Sequence, residues 1–356
     1  MRGSFKIAQV AGISINVHVT FLLLLIVFGR FFFFVLAVFF FVTLHELAHS
    51  LVAKKFGINV KEITLLPIGG IASMAKMPEK PYQEFFISIA GPLTNIAVVV
   101  IFYFPLRTLF GSDVFFGALG SFFTGYMPAD FKYGFVICQI YWVNLILAIF
   151  NLLPAFPMDG GRILRSLLAQ RLGFRKATKI AVNFGHIFAI LFGYIGLMHG
   201  RIILLIIAVF IYMAASSEGV HVDVRAVLRK FRVKDILPTN FLTLAPDANL
   251  AKVLELIFHS HQEDFPVIGP SDRMLGFVTR QDVVNGIHQY GVNGLVSSCM
   301  RQEIPSVRDQ ETLYDVQNIM QERSVKALPV TKGGKVVGIV TTEDISRVYS
   351  MMAGRS

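Results

Sequence analysis

As far as about Ser217 the chain is built from long apolar runs separated by short polar breaks; beyond it, apolar residues recur only at helix or strand spacing among mixed charges. A helix that crosses a membrane needs about 20 mainly apolar residues, within a range of roughly 17–25. Runs at 13–28, 31–53, 84–106, 134–153, 180–198 and 202–216 meet or approach that length. The first and last are short and are expected to reach into the interface. The Gly29-Arg30 break makes the first two a tight antiparallel pair. No small-residue cleavage site follows the first run, so it reads as a helix and not as a signal peptide. Between the second and third runs, 59–75 is rich in β-prone residues (Val60, Ile63, Thr64, Leu65, Leu66, Ile71) and is interrupted by Pro67 and Gly69-Gly70. That pattern predicts a hairpin-like sheet. The fold class is therefore a polytopic α-helical membrane protein of about six transmembrane helices with a small β-hairpin, plus an α/β domain. The expected divisions are 1–217, a linker at 218–232, and 233–350.

The second part repeats itself. Pro266-Val267 recurs as Pro329-Val330, 63 residues on, and Gly276-Phe277-Val278-Thr279-Arg280-Gln281-Asp282 recurs as Gly338-Ile339-Val340-Thr341-Thr342-Glu343-Asp344, 62 on. Leu250, Val253 and Ile257 match Leu313, Val316 and Met320 at helical spacing. Each unit, about 233–290 and 295–350, reads as a short strand, an amphipathic helix, two strands with a turn, and a second helix. The turns fall at Pro270-Ser271-Asp272 and Gly333-Gly334. Units this small build little core alone, so the copies are expected to pack together.

Composition sharpens the membrane reading. The chain has 356 residues, is 54% hydrophobic, and has a mean hydropathy of +0.62 and a net charge of +10. One set of loops holds Lys54, Lys55, Lys61, Lys76, Lys80, Arg162, Arg165, Arg171, Arg175, Lys176 and Lys179; the opposite set holds Arg30, Arg107, Lys132 and Arg201. The excess places the first set, both termini and the repeat domain in the cytosol, at the plasma membrane. The positive charge then reads as topology plus attraction to anionic headgroups of the lipid bilayer, and no nucleic-acid partner is needed. Cys138 and Cys299 lie in different parts, which leaves no disulfide framework and no cysteine metal site.

The chemistry begins at His45-Glu46-Leu47-Ala48-His49, inside the second run. Residues four apart share a helix face, so His45 and His49 can hold one divalent cation with Glu46 beside it. A charged group at the centre of a membrane helix costs roughly 2.5–3.5 kcal/mol. A tightly held zinc returns on the order of 10 kcal/mol. Two histidines leave a catalytic zinc short of a third protein ligand. Asp159 is the best candidate, at the same depth, where Pro154, Pro157 and Gly160-Gly161 break the fourth helix. Glu62 and Glu84 are its competitors and lie further toward the cytosol. His18 and His186 have no partner at metal spacing and read as core or interfacial histidines.

Up to about residue 217 the chain resembles the site-2 protease family of intramembrane metalloproteases. The resemblance rests on His45–His49 within a membrane helix and on 151–161, which matches that family's Asn-x-x-Pro…Asp-Gly motif. Pro67-Ile68-Gly69-Gly70 and Gly91-Pro92-Leu93-Thr94-Asn95 are lesser matches. It implies one zinc held by His45, His49 and Asp159, Glu46 as general base toward the attacking water, and Asn151 as an active-site asparagine. For Asn151 a purely local role, bonding carbonyls near Pro154, stands beside that one. The hairpin at 59–75 either pairs with an unwound substrate segment or caps the helix ends.

Residues 233–350 resemble a CBS (cystathionine β-synthase) domain pair. In that family the repeated Gly-x-x-Thr-x-x-Asp motif sets a threonine near a nucleotide phosphate and an aspartate on the ribose. By position these are Thr279 and Asp282, then Thr341 and Asp344, with ATP or AMP as the ligand; helix capping by the same residues is the alternative. The resemblance also implies a homodimer or higher oligomer. Together the two halves imply a zinc endoprotease that cuts a transmembrane helix of a membrane-protein substrate and is modulated by adenine nucleotide. The competing readings are a CBS-regulated metal or ion transporter and a membrane anchor with an inactive protease half. Ligand-type residues gathered toward one leaflet, with a glutamate beside them, favour the enzyme over the transporter.

Overall fold

The computed structural model describes residues 3–67, 69–74, 80–124, 133–238, 240–260, 262–270 and 273–353. Ile68, Lys76, Lys132, Ser271 and Asp272, used in the readings above, lie outside them. Two compact units meet at residues 220 and 221.

The first unit opens with β1 (Ser4–Val10) and β2 (Ile13–His18), joined by Ala11-Gly12. Both turn residues have positive φ, 50° and 77°, as a two-residue hairpin matched to strand twist requires. Here the structure departs from the first expected span. Ile13, Ile15 and Val17 alternate with Ser14, Asn16 and His18, which is strand periodicity, and the three apolar residues are buried. His18 ends the strand and caps α1 (Val19–Val27) by accepting from the Thr20 N–H. Nine helical residues rise only about 14 Å, half a bilayer core. Among the described residues five helices, not six, are long and apolar enough to cross a membrane.

The first of the five is α2 (Phe32–Lys55). It leads into β3 (Val60–Leu66) and β4 (Gly69–Met74), the expected hairpin, with Leu65 opposite Gly70. β3 also pairs in parallel with β2, giving one four-stranded sheet in the order β1-β2-β3-β4. Ile13, Val17, Ile63 and Leu65 on this sheet share a core with Phe21 of α1 and Ala53 of α2. α3 (Pro81–Thr124) is interrupted at Gly111, where φ is 78° and ψ 158°. Tyr103 and Phe115 have ring centroids 5.7 Å apart. A straight helix would separate residues twelve apart by about 18 Å, so the chain reverses at Gly111. The returning piece packs on α4 (Tyr133–Leu152), where the Trp142 indole N–H donates to the Phe115 carbonyl.

α5 (Asp159–Leu172) is polar on one side and too short and polar to span a membrane; α6 (Phe174–Met198) and α7 (Ile202–Leu228) are long and apolar enough. Arg162 and Arg165, expected among loop charges, are on α5. Arg165 is 3% exposed and pairs with Glu84 at the start of α3 and with Glu218 of α7 (Nη1 to Oε1, 2.6 Å). Its guanidinium also lies over the rings of Phe156 and Phe174. One buried cation thus ties α5 to one end of α3 and of α7. Residues 218–228, expected as linker, are a continuation of α7.

The second unit contains both repeats. The first has α8 (Leu250–His259), β5 (Phe265–Ile268), β6 (Met274–Val278) and α9 (Arg280–Tyr290). The second has β7 (Val307–Arg308), α10 (Leu313–Arg323), β8 (Ala327–Lys332), β9 (Lys335–Thr341) and α11 (Thr342–Ala353). Leu250 and Val253 in one core occupy the places of Leu313 and Val316 in the other, all fully buried. Phe277 of one repeat packs with Ala327 and Ile339 of the other. The lead-in to each repeat serves its sister: Leu295 bridges to Asn249, and Arg232 to Thr312. Leu228, at the end of α7, closes the second core.

Candidate metal centre

His45 and His49 stand one turn apart on the buried face of α2, four residues or more from either helix end. Asp159 is the first residue of α5, reached through the break after α4. Gly160 and Gly161 let this turn seat against the preceding loop: an added Cβ would lie 2.2 Å from the Leu153 oxygen at the first and 2.5 Å from the Ala155 carbonyl carbon at the second. The result brings together all three side chains expected to bind metal. His45 Nε2 and His49 Nε2 are 3.0 Å apart, and each is 3.1 Å from Asp159 Oδ2. Among the described residues this is the group of three whose donor atoms converge.

The opposite ring nitrogens have partners of their own. His49 Nδ1 lies 2.6 Å from the Ile87 carbonyl, which can only accept, so Nδ1 carries the proton. His45 Nδ1 lies 3.0 Å from Asn95 Oδ1 and donates to it. In the neutral form, an imidazole with its proton on Nδ1 turns its Nε2 lone pair toward the other ring and toward the carboxylate. Three acceptors at this spacing repel one another unless a metal cation or a shared proton sits among them. Ligands at bonds of roughly 2.0–2.1 Å around a tetrahedral zinc are about 3.3 Å apart. The observed triangle is within a few tenths of an ångström of that, and two nitrogens with one oxygen are a zinc donor set. The residues fit the metal.

Two glycines bring other elements onto this face. A Cβ on Gly91 of α3 would lie 2.3 Å from His49 Nε2 and 2.6 Å from His45 Nε2. A Cβ on Gly70 of β4 would lie 2.7 Å from Glu46 Cγ. β4, an edge strand, thus runs past the glutamate beside the metal site. Both glycines belong to the lesser sequence matches, whose physical role was not legible from the chain.

Asn151 is half-buried in the last turn of α4, and the amide that meets His45 is that of Asn95. Glu62 accepts from Asn16, and Glu84 from Arg165, so neither competes with Asp159. His186 bonds the Ser216 hydroxyl and stacks on Tyr212. The part played by Asn95, Asn144 and Gln139 was missed, although polar side chains within apolar helices are the signal that marks them.

In the second unit Thr279 and Asp282 form a capping box at the start of α9, with Thr279 Oγ1 donating to Asp282 Oδ2 at 2.6 Å. Thr341 and Asp344 repeat it at 2.8 Å. Arg301 also reaches Asp282 Oδ1 from Nε and Nη2, at 3.0 and 2.8 Å. The capping alternative is thus present in both repeats.

The family model for peptidase family M50 matches residues 33–192, and that for the CBS domain matches 233–289 and 296–350. A zinc metalloprotease of Methanocaldococcus jannaschii is 33% identical over 362 residues, covering 99% of this chain and 98% of its own. Stage IV sporulation protein FB of Bacillus subtilis is 29% identical over 157 residues, 43% of this chain and 46% of its own. The solved site-2 protease from Methanocaldococcus jannaschii is 36% identical, with a TM-score of 0.44, over 61% of this chain and 95% of that one. With a zinc metalloprotease matched along nearly its whole length, the chain belongs to peptidase family M50, the site-2 protease family, and carries a CBS domain pair.

Proposed function

We propose that this metalloprotease cleaves a peptide bond in a transmembrane segment of a membrane-protein substrate, with His45, His49 and Asp159 holding zinc and Glu46 as general base. The observation that carries the reading is the triangle of two histidine Nε2 atoms and a carboxylate oxygen in an apolar surrounding. Bound zinc supplies Lewis acidity toward water and the scissile carbonyl. Glu46 follows His45 in sequence and takes a proton from the attacking water. The same carboxylic acid then delivers that proton to the leaving amide nitrogen, so no proton is lost between the two steps. A helical substrate hides its peptide bonds and must unwind first. The outer edge of β4, which pairs with no strand among the described residues and passes Glu46 at Gly70, offers backbone groups that an unwound segment can pair with. Asn151 serves as a further contact to substrate from the end of α4. The positive loops set this end of the unit, both termini and the CBS pair on the cytosolic side of the plasma membrane.

Glu46→Gln tests the assignment. It is expected to retain zinc and lose cleavage of a model transmembrane substrate by about 10²–10⁴-fold; a variant that cuts at the wild-type rate would refute it. Adenine nucleotide at Thr279, Asp282, Thr341 and Asp344 is the proposed modulator. Titration of the full chain with ATP and AMP should show heat of binding, and flat traces for both would remove the sensing role.

A further inference from the structure

We propose that Asn95 and Asn144 form a positioning relay that fixes which nitrogen of His45 is free to bind metal, an inference that rests on His45 being a ligand. The two histidines are oriented in different ways. His49 donates straight to a backbone carbonyl, that of Ile87, whose direction cannot change. His45 instead faces a side-chain amide, which can present either its oxygen or its nitrogen. With the oxygen forward, Nδ1 must carry the proton and Nε2 keeps its lone pair. With the nitrogen forward, Nδ1 must accept, the proton moves to Nε2, and an N–H points at the other two donors.

The next links remove that ambiguity. Asn95 Nδ2 donates to Asn144 Oδ1 at 3.4 Å, and Asn144 Nδ2 donates to the Ile140 carbonyl at 2.9 Å. A carbonyl only accepts, so Asn144 must turn its nitrogen toward Ile140 and its oxygen toward Asn95. Asn95 must then offer its nitrogen to Asn144 and its oxygen to His45. A direction fixed at a backbone atom of α4 is passed through two side chains to the ring on α2. Both amides are 1% exposed, so bulk water does not supply a substitute partner. Two asparagines fully buried among apolar helices are costly unless every donor and acceptor is used. The relay uses them in one sense only.

The test is zinc affinity, measured by chelator competition on the purified full-length protein, together with the visible spectrum of the cobalt-loaded form. Asn95→Leu removes the acceptor and should weaken zinc binding about 10–100-fold, the range lost with partners that orient metal ligands. Asn144→Leu never touches the histidines, yet it frees Asn95 to turn and should weaken zinc in the same direction, with shifted cobalt bands. Asn95→Asp keeps an acceptor facing Nδ1 and should restore affinity close to wild type. A merely structural pair would change thermal stability in all three variants and leave affinity alike. Wild-type affinity in Asn95→Leu would overturn the proposal, as would an Asn95→Asp protein as weak as Asn95→Leu. Should Asn95→Leu not fold, Asn144→Leu decides in its place. A wild-type chain that takes up no zinc would instead overturn the ligand set, and the relay with it.

Discussion

A single methyl group at Gly91 is the sharpest perturbation the proposed centre allows. Its Cβ would lie 2.3 Å from His49 Nε2 and 2.6 Å from His45 Nε2, where ordinary contacts begin near 3.4 Å. Relief requires a displacement of about 1 Å, either of α3 from α2 or of both rings. Neither movement comes free. The Ile87 carbonyl and the Asn95 amide that hold the rings are on α3 with Gly91, so rings that swing away from the methyl also leave their partners. Metal–ligand bonds tolerate roughly ±0.2 Å, several times less than the shift demanded. The loss of orienting partners alone is worth about 10–100-fold in affinity. Gly91→Ala should therefore lower zinc affinity by about 100-fold or more and abolish cleavage, with helix content preserved. Gly117→Ala is the control, since nothing lies within 4 Å of its added Cβ. Chelator competition and cleavage of a model substrate read the difference. A Gly91→Ala protein with wild-type zinc content and activity would refute the close approach on which the geometry of the site rests.

Other consequences concern the charges that the fold buries. Arg165→Ala strands Glu84 and Glu218, and breaking a buried pair of this kind costs about 3–5 kcal/mol; heat-induced unfolding in detergent should begin well below wild type. Arg165→Met combined with Glu84→Gln and Glu218→Gln should recover most of that loss, and a single mutant as stable as wild type would refute the role. In the CBS unit, burial pushes the Asp264 carboxyl up to about 6, with Glu263, Glu343 and Asp282 adding repulsion and a backbone bond from Arg280 opposing them. A carboxyl raised above its unfolded value favours the folded state while protonated, and that contribution is lost as pH rises through about 6. The CBS unit should therefore melt higher near pH 5 than near pH 7.5, and Asp264→Asn should flatten the difference; an unchanged profile in that variant would assign the effect elsewhere.

How far the sequence could be read depended on which signal each segment carried. His45, His49 and Asp159 were legible because chemistry that is costly in lipid must be repaid locally, and few other groups at that depth could do so. The hairpin expected at 59–75 was legible from β-prone residues interrupted by Pro67 and Gly69-Gly70. β2 was not: its mean apolarity matched a span, while the alternation from Ile13 to His18 and the Ala11-Gly12 turn carried the correct answer at shorter range. The reversal at Gly111 was hidden for a similar reason, because apolar residues on both sides support helix and only the long-range contact of Phe115 with Tyr103 shows the fold-back. α7 outlasts its apolar run because its C-terminal turns are held by packing, with Val224 and Leu228 against the second CBS core. Gly70, Gly91 and Asn95 were visible as motif members, but close approach and tautomer control exist only once α2, α3 and β4 are brought together.

The CBS motifs pose the reverse problem, a pattern whose residues already have partners. Each threonine–aspartate pair closes a helix N-terminus, with the aspartate accepting from the threonine backbone N–H and hydroxyl. A capping interaction is worth about 0.5–2 kcal/mol, so a nucleotide that recruits these side chains has to return at least that. The two repeats are not equal in this respect. Asp282 gives its second oxygen to Arg301 through two close donors, whereas among the described residues the cation near the second oxygen of Asp344 is Arg347, at 3.8 Å. Charge-assisted bonds are roughly twice as strong as neutral ones, so freeing Asp282 costs more than freeing Asp344. If the pair senses adenine nucleotide as proposed, the second motif is the one that opens at lower cost. The shared Thr-x-x-Asp pattern therefore conceals an energetic asymmetry that Arg301, outside both motifs, creates.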